Sequence, residues 1–457
     1  MVEQKLVKKT HRASFKPSRR QVLAGAGATV LAVYGASRLI KFAGVTPAEN
    51  GYHVTGLVHL VGKSGYASKP VIADVLAGKL NAEEIALSFT NPAPNIVHKT
   101  LLTTLDIATG IARQTALDIQ AGHSAFPLPD GRIICLPDPG RRAAVVDKDH
   151  NLITYLEPPE GMGYGGHAML LPGDEYVVLP CKRYPSPTSF SDPGLLQIVR
   201  VKDLKIMDHK HAAGGWPHQL ELLPDGEHFA VIYYGAVTRR APKYNLVMDV
   251  QEPRLAIYRN DDQSLVRVID LPNYDAATTH IAVDGKGRIY IQMMQFFLPS
   301  EEGFKHQFDV LKKNGFGPIA LSVGETVNNT FYLPVPLLRL DVNTGKTEEV
   351  FFNPELAKHF LSSATNTQTG AVVFGCLGPG AAVSARADGT IICKDAFELG
   401  CTSVSGTANI PGTPYNMLCD IHRGFVLVHS ETLEPIARYA GDFDEATHLY
   451  ASAGSLS

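Results

Sequence analysis

The chain has 457 residues, of which 45% are hydrophobic and 19% charged, with a formal net charge of -3. This is the composition of a folded globular protein and excludes a disordered one. Residues 1–20 carry seven Lys or Arg against one Glu, so the basic charge is concentrated at the start and the folded part has no electrostatic footprint for nucleic acid.

In chain order, the basic start runs through Ser18-Arg19-Arg20-Gln21-Val22-Leu23 into an uncharged Ala-, Gly- and Val-rich stretch over 22–36. Charged, apolar and then small residues are the order of an export signal, and the paired arginines resemble the twin-arginine type. We assign 1–48 to this signal and a linker, with delivery to the periplasm; Ala36 and Ala48 both end small-residue cleavage sites. The apolar stretch is short of the roughly 20 residues that span a bilayer, so membrane attachment is expected only through an uncleaved signal. A buried amphipathic helix is the alternative. Because twin-arginine export carries folded proteins, often with a cofactor in place, the signal also favours a metal or cofactor.

From about residue 52 onward, short runs rich in Val, Ile, Leu, Tyr and Phe alternate with Gly, Pro, Asp and Asn, the pattern of many short strands. Only 69–87 and 354–361 read as helical. One phrase recurs: "GHSAFPLPDGR" at 122–132, "GHAMLLPGDEY" at 166–176, "WPHQLELLPDG" at 216–226 and "THIAVDGKGRI" at 279–289. Each copy is a His, a strand, a tight turn and a second strand. The His-to-His separations are 44, 51 and 62 residues, at or above the roughly 40–50 of common propeller blades. Degenerate copies begin near Leu361 and Gly400, and 52–110 supplies another. These blades predict an all-β, seven-bladed propeller with a central channel over 49–457, acting as a monomer.

In a propeller the first strand of each blade lines the channel, so residues repeated at one blade position converge in space. His123, His167, His218 and His280 are therefore expected to form an arc at one mouth, with Cys401 near the matching position of the last blade. Imidazoles and a thiolate are ligands for Fe, Cu or Zn. Arg141 and Gln219 are candidates for orienting those ligands or an anion. The alternative is a non-catalytic scaffold that binds a partner protein across the propeller face, its histidines structural and bonding a neighbouring blade's backbone. Imidazoles facing one point are expected of a metal site; rings pointing into separate blade cores are expected of the scaffold.

The other patterns are weaker. The glycines of 161–166 satisfy GxGxxG, but a strand follows where a dinucleotide-binding helix must start, so this is a blade-linking loop. HExxH, GxSxG, P-loop and EF-hand signatures are absent. His209-Lys210-His211 reads as a solvated connection, and 239–243 and 299–314 as rim loops over the channel. The six cysteines lack metal spacing; they read as buried small hydrophobes, with Cys376 and Cys393 the couple placed to pair if any does.

The repeated phrases, together with "PGRRAAVVD" at 139–147, "NLVMDVQEPRLAIY" at 245–258 and the Cys401 segment, resemble the bacterial family of exported seven-bladed propellers catalogued as domain of unknown function fifteen-thirteen, over about 120–430. The chain departs from that family at Gln219, where Glu is common, and in "VVLPCKRYP" after the second histidine. The resemblance implies a periplasmic protein working beside iron-uptake proteins, with iron favoured, or copper serving iron oxidation, and zinc also within the chemistry. It implies no catalytic activity; were the chain an enzyme, a metal-dependent oxidoreductase is the expectation.

Overall fold

In the computed structural model the described residues are 37–41, 52–61 and most of 98–453, the longest interval left out within 98–453 being 298–324. All regular structure among the described residues is β-strand. The chain is an all-β propeller. Five four-stranded and two five-stranded antiparallel sheets follow one another, with a small two-stranded and a three-stranded sheet as additions. The two-stranded one pairs Ala236–Arg240 with Leu246–Val250, so part of the expected 239–243 rim loop is strand.

In each sheet the strands run from the centre outward, and their burial follows position. Ile133–Pro137, second in its blade, is buried at every residue, because neighbouring blades cover both of its faces; a continuous apolar run is what such a strand requires. The outermost Leu265–Asp270 is exposed at all positions but one. The core is accordingly divided into clusters lying between adjacent blades. One joins Leu105 and Ile107 to Met417, Phe425 and Tyr439; another joins Ala282 and Tyr290 to Phe360, Phe374 and Val383. Each fully buried large side chain contributes about 1.5–3 kcal/mol, so the blades hold one another by side-chain packing rather than by shared backbone ladders.

The ring closes by exchange between its ends. The innermost strand of the first blade is the last of the described strands, Ala446–Ala453, which pairs with Tyr52–Val61. His98–Asp106 and Ile111–Leu117 continue that sheet. Ser37–Lys41, placed in the linker by the sequence reading, pairs with Ile111–Leu117 as an edge strand. Across the seam the Tyr439 hydroxyl donates to the Ile107 carbonyl at 3.0 Å.

Three sequence expectations are corrected. Residues 357–361 are not helical but begin strand Ala357–Thr365, paired with Val372–Pro379; the helix-forming Glu, Leu, Ala and Lys of this stretch yield to an innermost-strand position. His209-Lys210-His211 belongs to strand Lys205–His211 rather than a connection, although that strand is largely exposed, as a solvated face demands. Cys376 and Cys393 are not paired: all six cysteines are free thiols, and five are buried. The expected helix at 69–87, the loop at 299–314 and the export signal over 1–36 lie outside the described residues.

Candidate metal centre

The innermost strands Gly122–Pro127, Pro217–Leu222 and Ala277–Val283, and the residues just before Met169–Leu170, each carry one of the four repeated histidines. A β-bulge marks three of these sites. Gly122 pairs with Pro137 and Ser124 with Leu136, so His123 is the extra residue; Pro217 pairs with Tyr233 and Gln219 with Ile232, so His218 is. At the third site Thr279 is extra, immediately before His280. A bulge re-aims the local side chain, and here it turns imidazoles into the channel.

The backbone at 161–167 is shaped for the same end. His167 donates its N–H to the His218 carbonyl at 2.8 Å, and Ser124 Oγ donates to the Gly166 carbonyl at 2.8 Å, tying three blades together. Gly166 has φ +110°, and a Cβ there would lie 1.9 Å from the His218 carbonyl oxygen. Only glycine fits. The GxGxxG stretch thus includes a strand, Met162–Tyr164, and a close approach between blades.

The structure brings the four predicted histidines together and adds a fifth, His448, from the closing strand. One ligand nitrogen from each of His123, His167, His280 and His448 lies within 4.8 Å of the others. His123 Nε2 and His167 Nε2 are 3.3 Å apart, as are His218 Nε2 and His280 Nε2. Two nitrogens held about 2.0–2.1 Å from one tetrahedral ion stand about 3.3–3.4 Å apart, so these pairs already have the spacing of metal ligands. His448 Nε2 is buried without a hydrogen-bond partner among the described residues. A buried polar atom left so is costly, and a metal ion would satisfy it. The histidine cluster can hold a metal ion.

Several other groups orient the rings. The Tyr450 hydroxyl lies 2.7 Å from His167 Nδ1, and Thr279 Oγ1 lies 3.0 Å from His280 Nδ1. Asp138 Oδ2 is 3.3 Å from His218 Nδ1, and its other oxygen binds the ammonium of Lys182. Lys182 sits 4.2 Å from the centre of the Trp216 ring, which stacks on Tyr234, whose edge meets the His218 ring. Trp216 has φ 62°, a backbone rare for a bulky residue and typical of strained functional sites. A Cβ on Gly165 would lie 2.3 Å from Lys182 Cε, so this buried pair also depends on glycine. For His167 and His280 the hydroxyl at Nδ1 leaves Nε2 free to face a metal, the usual arrangement of an outer partner, while Asp138 stands beside His218 Nδ1 as a charged neighbour.

Electrostatically, three of these imidazoles are held neutral. Burial takes His167 down to about 3. Burial first, and then the neighbouring imidazoles, hold His218 and His448 well below their usual range. Neutral imidazole is the form that binds metal. Burial also pulls Asp138 up and Lys182 down, against their mutual attraction.

Other predicted residues fall elsewhere. Cys401 is not with the histidines: it packs among Ala396, Leu399, Val404 and Leu418 between two blades, and burial pushes its thiol up to about 12. Blade phase put it near the matching position, but its chain position precedes strand Val404–Asn409. Arg141 is exposed and lies over the Tyr184 ring. Gln219 bridges blades, accepting from the Ile281 N–H at 3.1 Å and donating to Glu221 at 2.7 Å. Thus it positions the strand of His280 without touching an imidazole. Asp138, Lys182 and His448 were missed. The first two lie at strand ends with no repeat to mark them. His448 had a signal: Thr447-His448 repeats Thr279-His280.

The five histidine strands are neighbours around the ring; the rest of the inner wall comes from Ala357–Thr365 and Val404–Asn409. A cavity of about 380 Å³ is lined by residues of these strands, among them His167, His280 and His448.

No protein-family profile and no curated protein matches the chain. Among solved structures it is similar to a variant of the Synechocystis apocarotenoid oxygenase, with a TM-score of 0.54 at 11% identity, covering 96% of this chain and 99% of that one. An ACO/RPE65 chimera gives a TM-score of 0.52 at 11% identity with the same coverage. At such identity the likeness is one of fold.

Proposed function

We propose that the chain is a transition-metal protein, a seven-bladed propeller whose ion is held by His123, His167, His280 and His448, with His218 as a further ligand. The observation that carries this is the convergence of five imidazoles from five neighbouring blades. Histidines serving a scaffold would bond blade backbones; these turn Nε2 atoms toward one another. An all-imidazole donor set suits iron, copper or zinc, and with iron or copper it would supply redox chemistry at the end of the cavity. The similarity of fold to an oxygenase is in keeping with this. The blade count rests on the two five-stranded and five four-stranded sheets. We further propose membership of the exported propeller family described above, twin-arginine export to the periplasm and an accessory role beside iron-uptake proteins; these rest on the basic, paired-arginine start and the family phrases.

The test is metal analysis of protein purified from its export compartment. The wild type is expected to carry one equivalent of metal, His448→Ala to lose it and Cys401→Ser to keep it. If His448→Ala retains both the metal and the rise in melting temperature on metal addition, the centre is wrongly assigned.

A further inference from the structure

Among the described residues that line the cavity, Glu221 is the one formally charged side chain, and it shares that wall with His167, His280 and His448. It stands three residues after His218 on the same inner strand and is half-buried, so it keeps surface toward the channel. Tyr450 lies on the closing strand of the first blade, three blades away around the ring. Burial, and then the charge of Glu221, raise the Tyr450 phenol, whose hydroxyl is 2.7 Å from His167 Nδ1. Two side chains set so far apart around the ring act on each other through the channel. The carboxylate is therefore felt where the imidazoles are.

No cation answers it. Among the described residues Glu221 makes no ion pair; its side-chain partner is Gln219, whose Nε2 donates to Oε1 at 2.7 Å. Gln219 is fixed in that orientation, because its own Oε1 accepts from the Ile281 N–H at 3.1 Å. Burial, opposed by this hydrogen bond, pushes the Glu221 carboxyl up to about 7. An acid raised in the fold costs stability wherever it is ionised, and the cost is present in full above that value. For folding alone, an amide of the same shape would serve better.

Imidazole binds a metal ion as a neutral ligand, so an ion held by histidines keeps its whole charge inside the ring, where unpaired charge is costly. Two carboxylates stand near the cluster. Asp138 is already paired with the Lys182 ammonium, whereas Glu221 is unpaired. We propose that Glu221 is the counter-charge of the metal centre, a carboxylate that does not ligate the ion but offsets its charge across the cavity. The carboxylate and the ion would each relieve the cost of burying the other. This rests on the metal-centre reading and adds what balances its charge.

The experiment compares wild type with Glu221→Gln in the full chain after EDTA treatment, at about pH 8, where Glu221 is ionised. Chromophoric chelators report the affinity for Zn2+ and, under anaerobic reducing conditions, for Cu+. The variant is expected to bind Zn2+ about tenfold more weakly, the scale of a lost outer partner. For Cu+ the loss should be only about threefold, because the electrostatic energy is proportional to the charge of the ion. The metal-free variant should at the same time be more stable than wild type, with a higher urea midpoint. A residue that merely supports the fold gives the opposite pattern, a lower midpoint and equal losses for the two ions. Unchanged Zn2+ affinity, equal losses for Zn2+ and Cu+, or a lower midpoint, failure to fold included, would each overturn this proposal while leaving the metal centre standing. A wild type that takes up neither ion would refute the metal centre, and the counter-charge with it.

Discussion

Replacing Asp138 with Asn keeps the shape of the side chain and removes its charge. Lys182 and Asp138 are paired with side chains 1% and 8% exposed, so the variant leaves an ammonium ion buried without its counter-ion. Losing one partner of such a pair costs about 3–5 kcal/mol. The Trp216 ring 4.2 Å from Lys182 Nζ offsets about 1–2 kcal/mol of this, which sets the expectation near the lower end, about 3 kcal/mol. The second consequence is at His218, whose Nδ1 loses an anionic neighbour 3.3 Å away; disrupting an outer partner lowers metal affinity about 10- to 100-fold. Urea denaturation of EDTA-treated protein measures the first effect free of metal linkage, and competition with a chromophoric chelator measures the second. The double variant Asp138→Leu/Lys182→Met separates them. An apolar replacement of both charges should recover most of the stability, while metal affinity stays as low as in Asp138→Asn. If the double variant is as unstable as the single one, the buried charge is not the cause. If Asp138→Asn binds metal within twofold of wild type, Asp138 does not orient His218.

Three further outcomes are expected. His150 is buried, with Thr104 Oγ1 2.9 Å from Nε2 and Thr115 Oγ1 3.0 Å from Nδ1, and burial, with help from Arg113, takes it down to about 4. Its folded value lies below the unfolded 6.5, so its contribution is fully present above pH 6.5 and is lost as pH falls toward 4, an acid penalty of about 3 kcal/mol. His150→Asn, which tolerates the positive φ of 68° at this position, should lose less stability than wild type over that window in pH-dependent denaturation of metal-stripped protein; parallel curves would refute the assignment. Gly166→Ala, with its strained φ and clash against the His218 carbonyl, should cost about 3 kcal/mol or more, read as a lower urea midpoint. Tyr450→Phe removes the hydroxyl on His167 Nδ1 and should weaken metal binding roughly tenfold in the same chelator competition, with the urea midpoint little changed.

What the sequence disclosed followed from repetition. The propeller and four of five histidines were legible because each blade restates its phrase, and a repeated position in a ring is a shared position in space. The fifth was obscured by closure: His448 belongs to the first blade but is written 325 residues after His123, behind two degenerate copies. Asp138 and Lys182 come from blades two and three, and their pairing depends on how far adjacent blades approach, which is set by Gly165 and Gly166. Cys401 shows the converse error. Blade phase placed it near the ring, but register within a blade slips at every bulge, and its side chain turned into the apolar space between blades. Local composition misled at 357–361 because propensity is silent about a strand's place in the ring.

The closing strand has a consequence in time. His448 lies in the strand that closes the ring, 325 residues after His123, and it joins imidazoles made long before it. During synthesis the first four histidines can all have emerged while the fifth is still unmade, so a complete donor set cannot precede the closing strand. Metal loading would therefore mark closure: a product terminated before this strand lacks both its clasp and its fifth imidazole, and the ion would distinguish closed rings from open ones.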